Sequence, residues 1–249
     1  NGTATTFHSM PIFNIAWMNE FFWDGRAKSR EDQALQPVNN PLEMDLGWIE
    51  AVKRLSADSD YPRMFKAAFG TSVIDSNLAA QAMVQYEMTL VSSETKFDAW
   101  LKGQASFTPE EEMGRIIFNS ERGDCFHCHG SILATDNSFH NNGLDGDADL
   151  KSGLYSVTND QSDFGKFKTP TIRNLAFTSP YMHDGRFQTL EQVVDFYSDS
   201  VQNNRNVDVL MKKANSGGLG LNSSEKDALI AFMLTMTDSS FTRNPVLVP

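Results

Sequence analysis

The five residues Cys-Phe-His-Cys-His at positions 125–129 constrain this chain more than any other feature. They form the pattern C-x-x-C-H and contain both cysteines of the 249-residue sequence. Two thiols at this spacing can form thioether bonds to the two vinyl groups of one haem, and the adjoining histidine then binds the iron as the proximal ligand. The motif therefore predicts a covalently attached haem c on Cys125, Cys128 and His129.

Two other kinds of site also use a pair of cysteines. A structural zinc site has four protein ligands, and near the cysteines the sequence offers only His127, His129 and His140. A thioredoxin-like redox pair lies in a βαβ context, and the sequence has no such pattern. Haem attachment fits the motif better than either, which leaves electron transfer, oxygen or peroxide chemistry, or sensing as functions.

Charge and hydropathy exclude several classes of protein. The 21 basic and 32 acidic residues give a net charge of −11, so the chain lacks the basic surface that binds nucleic acid or an anionic membrane. Its longest unbroken apolar run covers the seven residues 228–234, which is too short for a membrane span. Two cysteines are also too few for a fold held together by disulfides. We therefore expect neither a nucleic-acid partner nor a membrane span.

Helix signals recur along the chain, whereas strand signals are poor. Thr108-Pro109-Glu110-Glu111 is a capping box with Pro at the first helical position. Apolar residues at three- and four-residue spacing predict further helices. The predicted helices cover residues 46–55, 62–69, 77–91, 190–198 and 224–237, besides the one that begins after Thr108. The fold class is therefore predicted to be all-α.

Two long irregular stretches, residues 136–168 and 201–221, interrupt the helices. Loops of this length are usually functional, cofactor-wrapping or mobile. Residues 102–106 are a plausible boundary between two halves. We therefore predict an N-terminal domain over residues 1–104 and a C-terminal domain over residues 105–249.

Several blocks outside the haem motif resemble the bacterial di-haem cytochrome c peroxidase family, which includes the MauG-like enzymes. Residues 21–26, Phe-Phe-Trp-Asp-Gly-Arg, and the segment from Glu31 to Met44 resemble its N-terminal half. Residues 167–174, Phe-Lys-Thr-Pro-Thr-Ile-Arg-Asn, and residues 180–187, Pro-Tyr-Met-His-Asp-Gly-Arg-Phe, resemble its C-terminal half. The intervals between the blocks fit as well, so the resemblance covers nearly the whole chain.

The resemblance implies two cytochrome-c-like domains with one haem in each. The C-terminal haem, held here by Cys125, Cys128 and His129, would take in electrons, and the N-terminal haem would react with hydrogen peroxide. Trp23 matches the tryptophan between the two haems. Gln33 and Glu43 match polar residues over the peroxide-binding face, where the carboxylate would move a proton between the peroxide oxygens.

The resemblance also implies a sixth ligand and a calcium site. Tyr197 matches the sixth-ligand position of the C-terminal haem, which is Met in classical peroxidases and Tyr in MauG-like members. Met182 and His183 can also bind iron and are its rivals. Thr178 and Pro180 match two residues whose backbone carbonyls bind a calcium ion between the domains.

Three departures from the family pattern bear on function. The sequence contains one C-x-x-C-H motif where a di-haem enzyme needs two, so we expect the second within a few tens of residues upstream of Asn1. His8 replaces the asparagine that the family contributes to calcium, and imidazole is a poor ligand for a hard cation. Gly123 occupies the position from which a tryptophan carries oxidising equivalents to a protein substrate in MauG-like enzymes.

These observations predict a periplasmic peroxidase-like oxidoreductase. Electrons from a small donor protein, such as a cytochrome c or a cupredoxin, would enter at the C-terminal haem and reduce hydrogen peroxide at the other. One alternative is a mono-haem electron carrier, and another is a MauG-like enzyme that oxidises a residue of a partner protein. We also consider that the protein forms a homodimer.

Overall fold

The computed structural model describes residues 4–245 and residue 247. These residues are mostly helical, as the sequence predicts, and include one short antiparallel strand pair, β1 (Phe139–His140) with β2 (Phe167–Lys168). The α-helices are α1 (Arg30–Asn39), α2 (Trp48–Ala57), α3 (Tyr61–Phe69), α4 (Ser76–Glu87), α5 (Lys96–Leu101), α6 (Pro109–Phe118), α7 (Phe126–His129), α8 (Tyr155–Thr158), α9 (Leu190–Asp199) and α10 (Ser223–Leu234). Short 3-10 helices cover Ile15–Trp17, Gln161–Asp163, Leu175–Phe177, Ala214–Ser216 and Phe241–Arg243.

Capping residues fix the starts of the main helices. The Thr108 hydroxyl accepts a hydrogen bond from the Glu111 backbone N–H, and the Glu111 carboxylate accepts one from the Thr108 N–H, so the predicted capping box before α6 is confirmed. Helix α10 begins earlier than predicted, because Asn222 and Glu225 form the same reciprocal cap. Gly70 ends α3 with a left-handed conformation, φ 76°, as its position predicts.

Helices α6 and α10 pack against each other at the centre of the C-terminal half. The contact is close at Gly114, where a Cβ atom would overlap the carbonyl oxygen of Ala228. Around this crossing lies a core of buried residues that includes Phe118, Ala228 and Phe232, none more than 2% exposed. The crossing gives the C-terminal half a rigid wall on which a cofactor pocket can be built.

Helix α5 belongs in sequence to the N-terminal half but packs on the C-terminal core. Phe97 contacts this core, and its backbone N–H donates to Thr235 O. Asp98 forms a buried ion pair with Arg173, with 3.1 Å between Oδ1 and Nη1, and the Arg173 residue is 2% exposed. The domain boundary at residues 102–106 stays a prediction.

Among residues 4–245 and 247, no helix has both the length and the apolar composition needed to cross a bilayer.

Candidate haem site

A cavity of about 250 Å³ lies beside the α6–α10 crossing. Both cysteines and His129 of the C-x-x-C-H motif line it, and so do residues far apart in the sequence. Its other lining residues include Phe118 from α6, Tyr197 from α9, Leu229 and Met233 from α10, and Trp23 from the N-terminal half. The fold thus joins the predicted attachment motif, the predicted sixth ligand and the predicted bridging tryptophan in one cavity.

Helix α7 presents His129 in the state that a metal ligand needs. Its Nδ1 lies 2.9 Å from the carbonyl oxygen of Ala134, a pure acceptor, so Nδ1 carries the proton and Nε2 keeps its lone pair. Burial lowers the pKa of the imidazole, although the Ala134 carbonyl opposes this. A neutral, oriented imidazole is the form that binds iron, and the hydrogen bond from Nδ1 to Ala134 O fixes the orientation of the ring.

The two cysteines are free thiols of low acidity. Burial raises the pKa of Cys125 and the pKa of Cys128 to about 12 each. A structural zinc site takes four thiolate or imidazole ligands, and a redox dithiol of the thioredoxin type lies in a βαβ unit, which the described residues do not form. Among the described residues, the groupings compatible with a metal ion do not combine both cysteines with His129. Two half-buried thiols and a neutral histidine that line one cavity therefore fit a haem better than zinc or a redox dithiol.

Tyr197 and its rival Met182 lie close to one amide group. The Asn142 side-chain amide donates to the Tyr197 hydroxyl at 3.0 Å, and the same nitrogen lies 3.9 Å from the Met182 sulfur. Burial raises the pKa of Tyr197 to about 12, and the Asn142 hydrogen bond opposes that rise. Met182 has a left-handed backbone, φ 72°, an uncommon conformation for a side chain of this size.

His140 lies between two carboxylates in the same cavity wall. Its Nδ1 is 2.6 Å from Asp208 Oδ2, and its Nε2 is 2.8 Å from Asp136 Oδ2. Burial opposes protonation, but the hydrogen bonds to Asp208 and Asp136 outweigh it and raise the pKa of His140. An imidazolium donating from both nitrogens satisfies both carboxylates at once.

Trp23 is buried, 7% exposed, and its indole N–H donates to the backbone carbonyl of His8 at 2.8 Å. His8 in turn donates its backbone N–H to His183 O at 2.7 Å. Thr178 and Pro180, whose backbone carbonyls are predicted to bind calcium, line the cavity, and so does His8, which stands where the family has asparagine. The calcium site itself stays a prediction.

Gln33 and Glu43, predicted at the peroxide-binding face, lie away from this cavity. Gln33 is partly buried on α1, and Glu43 is exposed in the turn that follows this helix. The Asn40 side-chain amide donates to Glu43 Oε1 at 3.2 Å. Their role at a second haem stays a prediction.

Gly123 is packed against the end of α6. Its N–H donates to Ile117 O, and a Cβ atom at this position would lie 2.5 Å from that oxygen. A tryptophan here would require the backbone to shift. At position 123 this chain therefore has neither the tryptophan that carries oxidising equivalents in MauG-like enzymes nor space for a larger side chain.

Several polar residues of the cavity were not predicted from the sequence, and three of them have partners far away in the chain. Asn142, Lys168 and Asp208 line it, and each has a partner or neighbour far away in the sequence. Lys168 belongs to the 167–174 block that the resemblance had singled out, which was the one available signal.

The fold and the site together define a c-type haem protein. The family model described as di-haem cytochrome c peroxidase matches residues 1–106. The methylamine utilization protein MauG of Methylorubrum extorquens is 34% identical over 228 residues, and cytochrome c551 peroxidase of Nitrosomonas europaea is 33% identical over 233 residues. These matches cover 91% and 92% of this chain.

A solved structure agrees with these relatives. The crystal structure of a MauG-like protein associated with microbial copper homeostasis superposes with a TM-score of 0.85, at 32% identity, over 99% of this chain and 79% of that one. The chain belongs to the di-haem cytochrome c peroxidase and MauG-like family. It spans 63% of the Methylorubrum relative and 65% of the Nitrosomonas relative.

Proposed function

We propose that this protein is a periplasmic di-haem enzyme that reduces hydrogen peroxide with electrons taken in at the haem on Cys125 and Cys128. The observation that carries this proposal is the place of Trp23. Its ring lines the cavity of that haem, while its indole N–H is bonded to His8 in the N-terminal part of the chain. Because Trp23 belongs to the N-terminal part and also lines the C-terminal cavity, its aromatic side chain suits electron passage between the two halves.

A bound haem supplies one-electron redox chemistry at its iron. The residues of this chain supply the setting for that chemistry. His129 would hold the iron through Nε2, because its Nδ1 proton is bonded to Ala134 O, and apolar side chains of α6 and α10 would pack against the haem. We propose Tyr197, oriented by Asn142, as the sixth ligand.

Peroxide reduction consumes two electrons and two protons for each H₂O₂ and yields two waters. The protons must reach the departing oxygen while the O–O bond breaks, which calls for a carboxyl group that accepts and then donates a proton. We assign this role to Glu43, with Gln33 orienting the peroxide. The turn after α1 is exposed in the described chain, so the carboxylate is accessible to a small substrate.

The test is steady-state turnover of peroxide by the full-length holoprotein with a reduced cytochrome c as donor. Glu43→Gln keeps the shape of the side chain and removes the proton shuttle, so turnover should fall by about 10²–10⁴-fold. The absorption spectrum of the haem on Cys125 and Cys128 should stay unchanged.

Glu31→Gln is the matched control, because Glu31 lies on α1 two residues from Gln33 but has no assigned part in the chemistry. It should retain wild-type turnover. Undiminished turnover in Glu43→Gln would refute the role of this carboxylate, and no peroxide-dependent oxidation of the donor by the wild type would refute the proposed function.

A further inference from the structure

Asn142 places one amide nitrogen next to both candidate sixth ligands. This nitrogen, Nδ2, donates to the Tyr197 hydroxyl at 3.0 Å and lies 3.9 Å from the Met182 sulfur. All three side chains line the cavity that also contains Cys125 and Cys128. The two possible ligand atoms are therefore neighbours of the same donor group inside this cavity.

The direction of the Asn142 amide is fixed by its surroundings. Its Oδ1 accepts a hydrogen bond from the Leu144 backbone N–H at 3.2 Å, so the nitrogen end of the amide points towards Tyr197. The loop is also held at Gly143, whose carbonyl oxygen accepts from the Gln202 backbone N–H at 2.7 Å. A donor held in this way can orient a ligand of a metal without touching the metal itself.

The two candidate ligands benefit unequally from this donor. A tyrosine binds iron as a phenolate, whose oxygen carries negative charge and keeps a lone pair for the amide N–H, so the hydrogen bond is charge-assisted. A methionine binds iron as a neutral thioether, and its sulfur is a weak acceptor. The amide of Asn142 therefore stabilises ligation by Tyr197 more than ligation by Met182.

We propose that Asn142 is a positioning residue that selects Tyr197 over Met182 as the sixth ligand of the haem attached at Cys125 and Cys128. This inference rests on the haem attachment and the ligand assignment of the proposed function, and it does not depend on peroxide reduction. Loss of a hydrogen bond to a charged group changes an equilibrium about 10- to 100-fold. Without the amide, the ratio of Tyr-ligated to Met-ligated haem should fall by a factor of that size.

The amide has a second effect once the phenolate is bound. A hydrogen bond to the phenolate oxygen draws electron density away from it, so the oxygen donates less to ferric iron and the iron is easier to reduce. Asn142 thus favours the phenolate of Tyr197 and also limits how far this ligand lowers the reduction potential.

Ferric absorption spectra of the full-length holoprotein test the selection without an activity assay. The wild type should show a phenolate-to-iron charge-transfer band. In Asn142→Leu, which has a similar volume and no N–H donor, this band should weaken and a Met-to-iron charge-transfer band should appear. Asn142→Gln retains an amide and should keep the phenolate band. Adding Met182→Leu to Asn142→Leu should abolish the Met band, which identifies the new ligand.

Asn203→Leu is the matched control, because Asn203 is exposed, lies outside the cavity lining and is bonded to Asn215 at 2.7 Å. Its spectrum should equal that of the wild type. If Asn142→Leu does not fold, Asn142→Asp takes its place. Aspartate keeps the size of the side chain and the oxygen that accepts from Leu144, but it has no N–H donor.

Potentiometry supplies the second readout. In the Met182→Leu background the rival ligand is absent, so Asn142→Leu should lower the reduction potential of the C-terminal haem through loss of the hydrogen bond alone. Asn142→Gln in the same background should keep the potential close to that of Met182→Leu. A potential that does not change in Asn142→Leu with Met182→Leu would contradict the effect of the amide on the bound phenolate.

An unchanged phenolate band in Asn142→Leu, or in Asn142→Asp, would overturn the inference. Loss of that band without a Met band would overturn it as well, since Asn142 would then support Tyr197 without choosing between the two ligands. A wild type that lacks the phenolate band would refute the ligand assignment and the inference together. Loss of peroxide turnover with the expected spectra intact would count against the proposed function alone.

Discussion

At the scale of single residues, two candidate sixth ligands of the haem, Tyr197 and Met182, line the same cavity as the C-x-x-C-H motif. Tyr197 and Met182 both lie near the Asn142 amide, at 3.0 Å and 3.9 Å from its nitrogen. A phenolate is a hard anionic donor that favours ferric iron, whereas a thioether favours ferrous iron and a higher potential. The identity of the sixth ligand therefore sets the redox range of this site.

We predict that Tyr197→Phe opens the sixth position of the C-terminal haem. The change removes the phenolic oxygen and retains the ring that packs against Phe196 at 4.8 Å between centroids. Ferric absorption and EPR spectra should change, whereas Met182→Leu should leave both nearly intact. An unaltered ferric spectrum in Tyr197→Phe, or a Met-to-iron charge-transfer band in the wild type, would contradict the assignment.

The His140 pair with Asp136 and Asp208 makes a pH-dependent contribution to stability. The folded pKa of His140 is raised above its ordinary value of 6.5, so the contribution is fully present below pH 6.5 and is lost as the pH rises through the folded pKa. Above that point the neutral ring has one N–H and can donate to one carboxylate only.

Thermal unfolding of the wild type and of His140→Gln, measured from pH 6 to pH 9, checks this expectation. The difference in Tm should be largest near pH 6 and should shrink towards pH 9. A difference that is constant or grows with pH would show that His140 is not protonated in the folded protein.

The residues that could be predicted from the sequence are those whose signal is local. Cys125, Cys128 and His129 are adjacent in a motif with one main chemical use, and the structure places them in one cavity. Asn142 and Asp208 could not be predicted, because their partners Tyr197 and His140 are 55 and 68 positions away. Asparagine and aspartate in long polar loops carry no signal of such contacts.

At the scale of helices, capping and periodicity predicted α6 and α9 well, because their signals are contained in a few residues. Helix α1 was missed, since Pro37 lies inside it and proline normally ends a helix. Pro37 lies near the end of α1, with only two helical residues after it. Its missing N–H removes one hydrogen bond of the helix and leaves the preceding turns intact. The six-residue helix α5 is too short for a periodic pattern, and its packing on the C-terminal core supports it.

The α6–α10 crossing yields a prediction about stability. Gly114→Ala gains about 1 kcal/mol of helix propensity but forces a methyl group onto the Ala228 carbonyl and to within 2.8 Å of Phe232 Cβ. Overpacking of this kind costs about 1–3 kcal/mol, and backbone atoms cannot move aside cheaply. We therefore expect a net loss of stability.

Denaturant unfolding of the holoprotein measures this loss. Gly146→Ala is the control, because its φ is not positive and its new Cβ atom would meet only Gln202 Oε1, at 3.9 Å. The midpoint should fall in Gly114→Ala and stay close to the wild type in Gly146→Ala. A Gly114→Ala protein as stable as the wild type would show that the two helices are less tightly packed than described.

At the scale of the whole molecule, the C-terminal cavity is linked to the N-terminal part of the chain through Trp23. The indole donates to His8, the Trp23 carbonyl accepts from Lys168, and the ring meets His183. The motifs around residues 21–26 and 180–187 could be recognised in the sequence, but their contact with each other depends on the folded chain. Our central claim is that electrons pass from the haem on Cys125 and Cys128 to peroxide by way of Trp23.

Rapid mixing of hydrogen peroxide with the full-length holoprotein, its C-terminal haem reduced beforehand, tests this claim most directly. Absorption changes of that haem report its reoxidation. We predict that peroxide reoxidises it, that Trp23→Phe slows this step, and that Trp17→Phe, at a tryptophan 52% exposed and outside the cavity lining, leaves the rate unchanged. A haem that stays reduced in the presence of peroxide, or a wild-type rate in Trp23→Phe, would contradict the account.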